Sequence, residues 1–356
     1  MATRLTVLAL ARGLGVPAPA LASPWTLPRG RLVVGLGYDY QQASGEFFGV
    51  DANEPRARRP FPLRGAYDAS TVRLAARLGV LDELELPLSL PFRVVSYRSD
   101  PVLLLEQPAD STESAFDFYQ QNVIDLSRVA VGVSDIAVSG RYRWSLSPIA
   151  TATELRLRIP TGYRGPSGTF GDEPTSAEAF AADPARFISP ANVTDDVTLG
   201  AGTLDIILRQ HAGAAFRSGT FVRAEVAYAL RFGGGGDQFL GALRAGQLLG
   251  ERVLLYVNGD LALTVQRGRV IGVAVAAVDP TLPAEDYGGS TNLFLREVPL
   301  QFDALIVGGG LILRLLDDVE LNAGYFQIVW GRNVAAIRGL SLTIAVQTEL
   351  FSDEPS

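Results

Sequence analysis

LELPLSLPFRVVSY, residues 84–97, alternates between two kinds of side chain. Leu84, Leu86, Leu88, Leu90, Phe92 and Val94 share one parity, and Glu85, Pro87, Ser89, Pro91 and Arg93 share the other. A repeat of two is that of a β-strand with unlike faces. Proline lacks the N–H that a sheet ladder needs. Pro87 and Pro91 stand on one parity, and residues of one parity direct their backbone groups to the same neighbouring strand. Both missing donors therefore fall on a single seam, where the spacing predicts a bulge or a local gap.

The same alternation recurs along the chain. Leu32, Val34, Leu36, Tyr38 and Tyr40 share a side, and Val72, Leu74, Ala76, Leu78 and Val80 alternate with Arg73 and Arg77. Ile136, Val138, Tyr142 and Trp144 oppose Asp135, Ser139, Arg141 and Arg143, while Leu155, Leu157 and Ile159 oppose Glu154, Arg156 and Arg158. Leu204, Ile206 and Leu208 oppose Asp205, Arg209 and His211, with Ile207 breaking the polarity. Val222, Ala224, Val226, Tyr228 and Leu230 oppose Arg223, Glu225 and Arg231. A weaker segment, 238–247, has Arg244 as its parity marker; Val253, Leu255, Val257, Leu261 and Leu263 oppose Tyr256, Asn258 and Asp260, and further alternating segments follow at 305–314, 319–325 and 340–350. The count is about twelve strands. VIGVAVAAV and TNLFLREV, within 267–299, leave fourteen open as a further hairpin.

Short turns near 81–83, 145–148, 217–219, 250–251 and 317–318 alternate with longer connections at 41–67, 97–129, 161–199 and 267–299, and with two brief ones at 233–237 and 332–338. Soluble sandwiches show no such order. A transmembrane barrel does, with strands of about ten residues, short turns at one end and longer loops at the other. Lipid offers no hydrogen-bond partners, so a spanning sheet must close on itself. The expected fold is all-β, an antiparallel up-and-down transmembrane β-barrel over residues 23–356. The aromatic residues Tyr38, Tyr40, Tyr142, Trp144 and Trp330 fall near strand ends, where interface girdles belong.

The charges follow the same division. Arg73, Arg77, Arg93, Asp135, Arg141, Arg143, Glu154, Arg156, Arg158, Asp205, Arg209, His211, Arg223, Glu225 and Arg231 all oppose the leucine parity. An arginine facing lipid at the midplane costs roughly 2–4 kcal/mol, and none of these needs to. They are the candidate lining of the lumen. Basic residues exceed acidic ones among them, which biases a pore toward anions. Arginine–carboxylate pairs that fill the bore and leave a structural or surface-display barrel are the alternative.

Composition removes other functions. The net charge of −7 argues against a nucleic-acid partner. The chain has no lysine and no cysteine, which excludes Schiff-base, P-loop and thiolate chemistry. His211 is the single histidine, so no histidine-cluster metal site exists. As a catalytic base it would need an acid, and Asp205, six residues away on the same strand, is roughly 20 Å distant. A barrel hydrolase is thus an outlying reading, and no catalytic residue, metal or cofactor is assigned. Gly233–Gly236 with Asp237 reads as a hairpin loop, not a phosphate cradle, and Asp195-Asp196 as solvated loop charge. No run of apolar residues reaches the ~18 of a membrane helix. Arg4, the apolar run 5–11 and Ala20-Leu21-Ala22 read as an export signal over 1–22, although Arg12 interrupts it.

Pro24-Trp25-Thr26-Leu27-Pro28-Arg29-Gly30, then Gly132-Val133-Ser134-Asp135-Ile136 running into Gly140-Arg141-Tyr142-Arg143, and Leu157-Arg158-Ile159-Pro160-Thr161-Gly162 occur in order. So do Asn322-Ala323-Gly324-Tyr325 and Gly331-Arg332-Asn333 before a final strand. In these landmarks the chain resembles outer-membrane channels related to the MetA pathway of phenol degradation. The resemblance implies a Gram-negative outer-membrane barrel for uptake of small, often aromatic or hydrophobic, solutes, inserted by the outer-membrane assembly machinery. That family usually ends on an aromatic residue, whereas Ser352–Ser356 follow Phe351 here. A kinked third strand is also how FadL-type channels open sideways to lipid, so Pro87 and Pro91 are candidates for a lateral gate or a sealed bulge.

Overall fold

A computed structural model describes residues 24–47, 57–61, 64–100, 127–146, 148–163, 197–277 and 293–350, with a few short stretches between them, and only the backbone of 270–277 and 293–299. The expected export signal, Asp195-Asp196 and the end of the chain from Phe351 lie outside the described residues. Twelve strands form one closed antiparallel barrel. They are β1 (Arg31–Ala43), β2 (Ala66–Gly79), β3 (Leu84–Arg98), β4 (Arg128–Val133 continued by Ile136–Ser145), β5 (Ala150–Ile159) and β6 (Leu204–Ala215). The rest are β7 (Thr220–Phe232), β8 (Gln238–Leu249), β9 (Val253–Thr264), β10 (Asp303–Arg314), β11 (Val319–Arg332) and β12 (Arg338–Glu349). Each pairs with the next, and β1 pairs with β12 from Arg31↔Glu349 to Gln42↔Arg338, which closes the sheet without an edge.

The fourteen-strand alternative fails on pairing. Val270–Ala277 and Leu293–Pro299 do form a hairpin, but they pair with each other in a separate sheet, and β9 pairs directly with β10. A second small sheet joins Gly45–Phe47 to Arg58–Pro60 and Val334–Ala335 at the long-loop end. Among the described residues no helix is long and apolar enough to cross a membrane.

The alternation sorts the side chains radially. Leu36, Leu74, Leu88, Phe92, Leu155, Leu208 and Leu342 are exposed on the outer face, whereas Glu85, Arg141, Glu154, Asp205 and His211 are fully buried inside. Inside-out burial of this kind is adverse in water, since apolar area left exposed forgoes about 25 cal/mol per Å². Lipid reverses the sign: the leucine band is solvated by acyl chains, and the charges stay away from them. Ile207, which breaks the polarity of β6, is buried on the inner wall against Ala227 and Ala229, with Leu240 beside them.

The prolines shape one seam. Toward β2, β3 is paired without interruption from Ala66↔Arg98 to Gly79↔Glu85. Toward β4 the pairs run Leu84↔Tyr142 and Glu85↔Arg141, then Leu88↔Val138 and Ser89↔Ala137, and resume at Phe92↔Val133. Ser134, Asp135 and Ile136 there oppose only Leu90 and Pro91, one residue in excess, which is a bulge. Pro91 turns its carbonyl to this side and accepts from Ser134 N at 2.9 Å. The absent donors of Pro87 and Pro91 consequently face β4. The bulge also reverses the parity of β4, so that Val129, Val131 and Val133 are exposed above it, as Val138 and Tyr142 are below it.

Candidate functional site

Charged side chains cross the inner wall from strand to strand in a belt. Register creates it: Glu85 stands opposite Arg141, Arg141 opposite Glu154, and Glu154 opposite Arg209 on successive strands. Opposite charges at directly paired positions attract. Arg77 of β2 holds Glu85 bidentately, Nε to Oε1 at 2.8 Å and Nη2 to Oε2 at 2.6 Å. Arg141 donates from Nη1 to Glu85 Oε1 at 3.2 Å, and from Nε and Nη2 to Glu154 Oε2 at 2.9 and 2.6 Å. Arg156 Nε donates to Glu154 Oε1 at 2.9 Å. Charge-assisted bonds of this length are about twice as strong as neutral ones, and their two-pronged geometry fixes both partners.

The belt continues more loosely. His211 lies between two carboxylates, with Nε2 3.2 Å from Glu154 Oε2 and Nδ1 3.4 Å from Glu225 Oε1. Glu225 also has Arg223 Nε at 3.4 Å and Arg209 Nη1 at 3.6 Å. Arg223 stands directly opposite Arg244, whose guanidinium lies 4.9 Å from the centre of the Tyr256 ring. Tyr256 donates its hydroxyl to Asn322 at 3.0 Å, so its ring crosses β10 to reach β11. Gly310 and Gly324 make room for it: an added Cβ would come within 2.7 and 2.9 Å of that hydroxyl. Asp260 accepts from Asn258 Nδ2 at 2.7 Å on the same wall.

The remaining charges gather elsewhere. Asp205 joins Arg158 and, at 3.6 Å, Arg231, and it accepts from Thr203 Oγ1 at 2.7 Å. Asp135, turned inward by the bulge, accepts from Ala201 N at 2.7 Å, and Ser134 Oγ donates to Leu199 O. Residues 197–203 thus dock where β5 has ended and β4 continues. Arg73 pairs with Asp39 at 3.2 Å, and Arg93 donates to Gln41 Oε1 at 3.1 Å and to the buried Tyr67 hydroxyl at 2.6 Å. Arg143 is half-buried beside the register break at Thr151/Ala152. His211 and Asp205 are in different clusters, and the carboxylates beside the histidine come from β5 and β7.

The segment before β1 belongs to this interior. Leu27 N donates to Glu85 Oε2 at 3.0 Å, Thr26 Oγ1 donates to Asp82 O at 2.6 Å, and Arg29 N donates to Asp82 Oδ1 at 3.0 Å. At its far end Pro24 and Trp25 lie against Gly213 of β6, where a Cβ would be 2.9 and 3.1 Å from their rings. Residues 24–29 therefore run inside the short-turn mouth from the β2–β3 turn to β6, beneath the belt. Nothing periodic in the sequence marks this course. Asp39, Arg244, Tyr256 and Asp260, by contrast, lie on the inward parity of β1, β8 and β9 and extend the inner wall beyond the candidate lining.

No family model matches the sequence, and no curated protein matches it. Solved structures do match. The COG4313 outer membrane channel from Pseudomonas putida F1 superposes with a TM-score of 0.53 at 10% identity, over 91% of this chain and 97% of that one. A TodX monoaromatic hydrocarbon channel (TM-score 0.41, 11% identity, 93% of this chain and 94% of that one) and the KdgM porin (0.40, 4%, 88% and 98%) are more distant. At such identity the likeness is one of fold, and the fold is that of outer-membrane barrels.

Proposed function

We propose that this chain is an outer-membrane channel of a Gram-negative cell, exported by its first 22 residues, that admits small solutes by passive or facilitated diffusion. The observation that carries the reading is the radial division: an apolar outer band on a closed sheet, with charged side chains inside it. The resemblance to MetA-pathway channels extends it to aromatic or hydrophobic compounds. The lumen residues would contact the solute, with Arg156, Arg158, Arg73 and Arg209 partly accessible although each is paired. Catalysis is not part of the proposal, because His211 is fully buried between two carboxylates and presents no base to a substrate. Planar-bilayer recordings of the purified chain test this: discrete conductance steps with reversal potentials displaced toward the anion equilibrium are expected under a salt gradient, and clear cation preference counts against it.

One observation favours a second reading. Glu85, Arg141, Glu154 and His211 are completely shielded, and the segment 24–29 lies across the same mouth. A barrel sealed by its ion pairs, serving structure or loop display, would give no conductance above bare lipid and no solute-dependent liposome swelling.

A further inference from the structure

We infer that the outer face of β12, at its long-loop end, carries a headgroup site for an anionic, phosphate-bearing lipid, with Arg338 as the cation that holds the phosphate. The inference rests on the outer face meeting lipid, not on conduction through the lumen. Along β12, Leu340, Leu342, Ile344 and Val346 point outward and are exposed. Arg338 continues that parity and is exposed, whereas Gly339 beside it is buried. It lies two positions beyond Leu340, about 7 Å along the strand. Leu340 is paired with Tyr40 on one side and with Tyr325 on the other. The order from mid-barrel outward is therefore aliphatic, then aromatic, then cationic, which is the order of acyl chains, interface and headgroups in a leaflet. An arginine costs little there, because its stem lies on apolar surface while its guanidinium reaches the headgroups.

The neighbours of Arg338 leave it to the lipid. Its directly paired residues, Gln42 of β1 and Gln327 of β11, are neutral. Gln327 accepts from the Tyr325 hydroxyl at 3.2 Å through its oxygen, which leaves its amide nitrogen as a donor. One strand further, Asp68 stands opposite Gln42, but both its oxygens are occupied: Tyr40 donates to Oδ1 at 2.8 Å and Arg98 to Oδ2 at 3.0 Å. Among the described residues Arg338 makes no ion pair and no side-chain hydrogen bond. A guanidinium fork matches the oxygens of a phosphate. A zwitterionic headgroup brings its own cation to that phosphate, so the site selects lipids that lack one.

The test uses the full-length folded barrel in a nonionic detergent, with diphosphoryl lipid A, phosphatidylcholine and inorganic phosphate as probes at matched ionic strength. Lipid adducts in native mass spectra and the temperature of the heat-modifiable gel shift are the readouts. Lipid A should be retained at lower concentration than phosphatidylcholine and should raise that temperature, while inorganic phosphate leaves it unchanged. Folded Arg338→Gln should weaken lipid A retention about fivefold, the worth of one basic side chain at an anionic lipid surface. Arg338→Lys should weaken it less, and Arg217→Gln, in the exposed β6–β7 turn at the opposite mouth, not at all. Equal retention of phosphatidylcholine, equal stabilisation by inorganic phosphate, undiminished retention in Arg338→Gln or an equal loss in Arg217→Gln overturns the site. None of these readouts passes through the lumen. A barrel that conducts without binding the lipid loses the site and keeps the channel; one that binds without conducting keeps the site and loses the transport reading.

Discussion

The two halves of the charged belt are built from the same residue types and differ in how tightly they close. On β2–β5, Arg77, Glu85, Arg141, Glu154 and Arg156 alternate in sign and bond at 2.6–3.2 Å. On β6–β9, Glu225 holds its bases at 3.4–3.6 Å, and two arginines face each other. The first half looks after itself electrostatically and resembles a structural brace. In the second, the contacts are longer and two like charges stand directly opposite, so the wall is held together less tightly there. The lesson is that a charged lumen is not uniformly braced; the register of each strand pair decides which opposite charges meet at bonding distance and which side chains face a like charge.

Substitutions can break this distinction. Arg141→Met removes the cation shared by two fully buried carboxylates, and breaking a buried pair from one side costs about 3–5 kcal/mol. Urea unfolding of the barrel in detergent should show that loss. The outer face supplies the next largest effect: Leu88→Arg places a cation opposite acyl chains and should cost roughly 2–4 kcal/mol in the same assay. Arg244→Gln lies on the other wall and removes a charge from a repelling pair. Its stability should stay within about 1 kcal/mol of the parent, while reversal potentials move toward cations. Equal destabilisation by Arg141→Met and Arg244→Gln would erase the difference between the two halves.

Two smaller predictions sharpen it. Gly213→Val should expel Trp25 from its seat and loosen the segment 24–29, raising unit conductance if that segment narrows the mouth; an unchanged conductance would confine it to bracing β2, β3 and β6. Pro87→Thr returns one donor to the β3–β4 seam. It should stabilise the barrel by about 0.5–1.5 kcal/mol, the net worth of one hydrogen bond, provided that Ser139 and Gly140 move into pairing distance. Hydrogen exchange across residues 84–92 would show whether the seam has closed.

Much of this was legible because a strand repeats every two residues. Leu84, Leu86, Leu88, Leu90, Phe92 and Val94, with Glu85, Ser89 and Arg93 on the opposite parity, assign each side chain to one face without knowledge of its partner. The loop order then gave the up-and-down connectivity, and Pro87 and Pro91 placed their missing donors on one seam. Three things escaped. Arg128–Val133 belongs to β4, but the extra residue at the bulge changes the parity and hides the continuation. Val270–Ala277 and Leu293–Pro299 alternate like wall strands, yet β9 and β10 already satisfy each other. The segment 24–29 has no period at all, since it is held by single contacts to Asp82, Glu85 and Gly213.

The sequence by itself determined which side chains meet lipid and which turn inward, because alternation is local and the two solvents differ sharply in what they accept. Only the tertiary structure decided which inward charges meet. Arg141 reaches Glu85 across 56 residues and His211 reaches Glu154 across 57. A slip of two residues in any one strand pair would preserve every lipid contact and still exchange the partners. That choice rests on the register of the closed sheet, with its bulge opposite Pro91, and the same register sets Arg223 against Arg244.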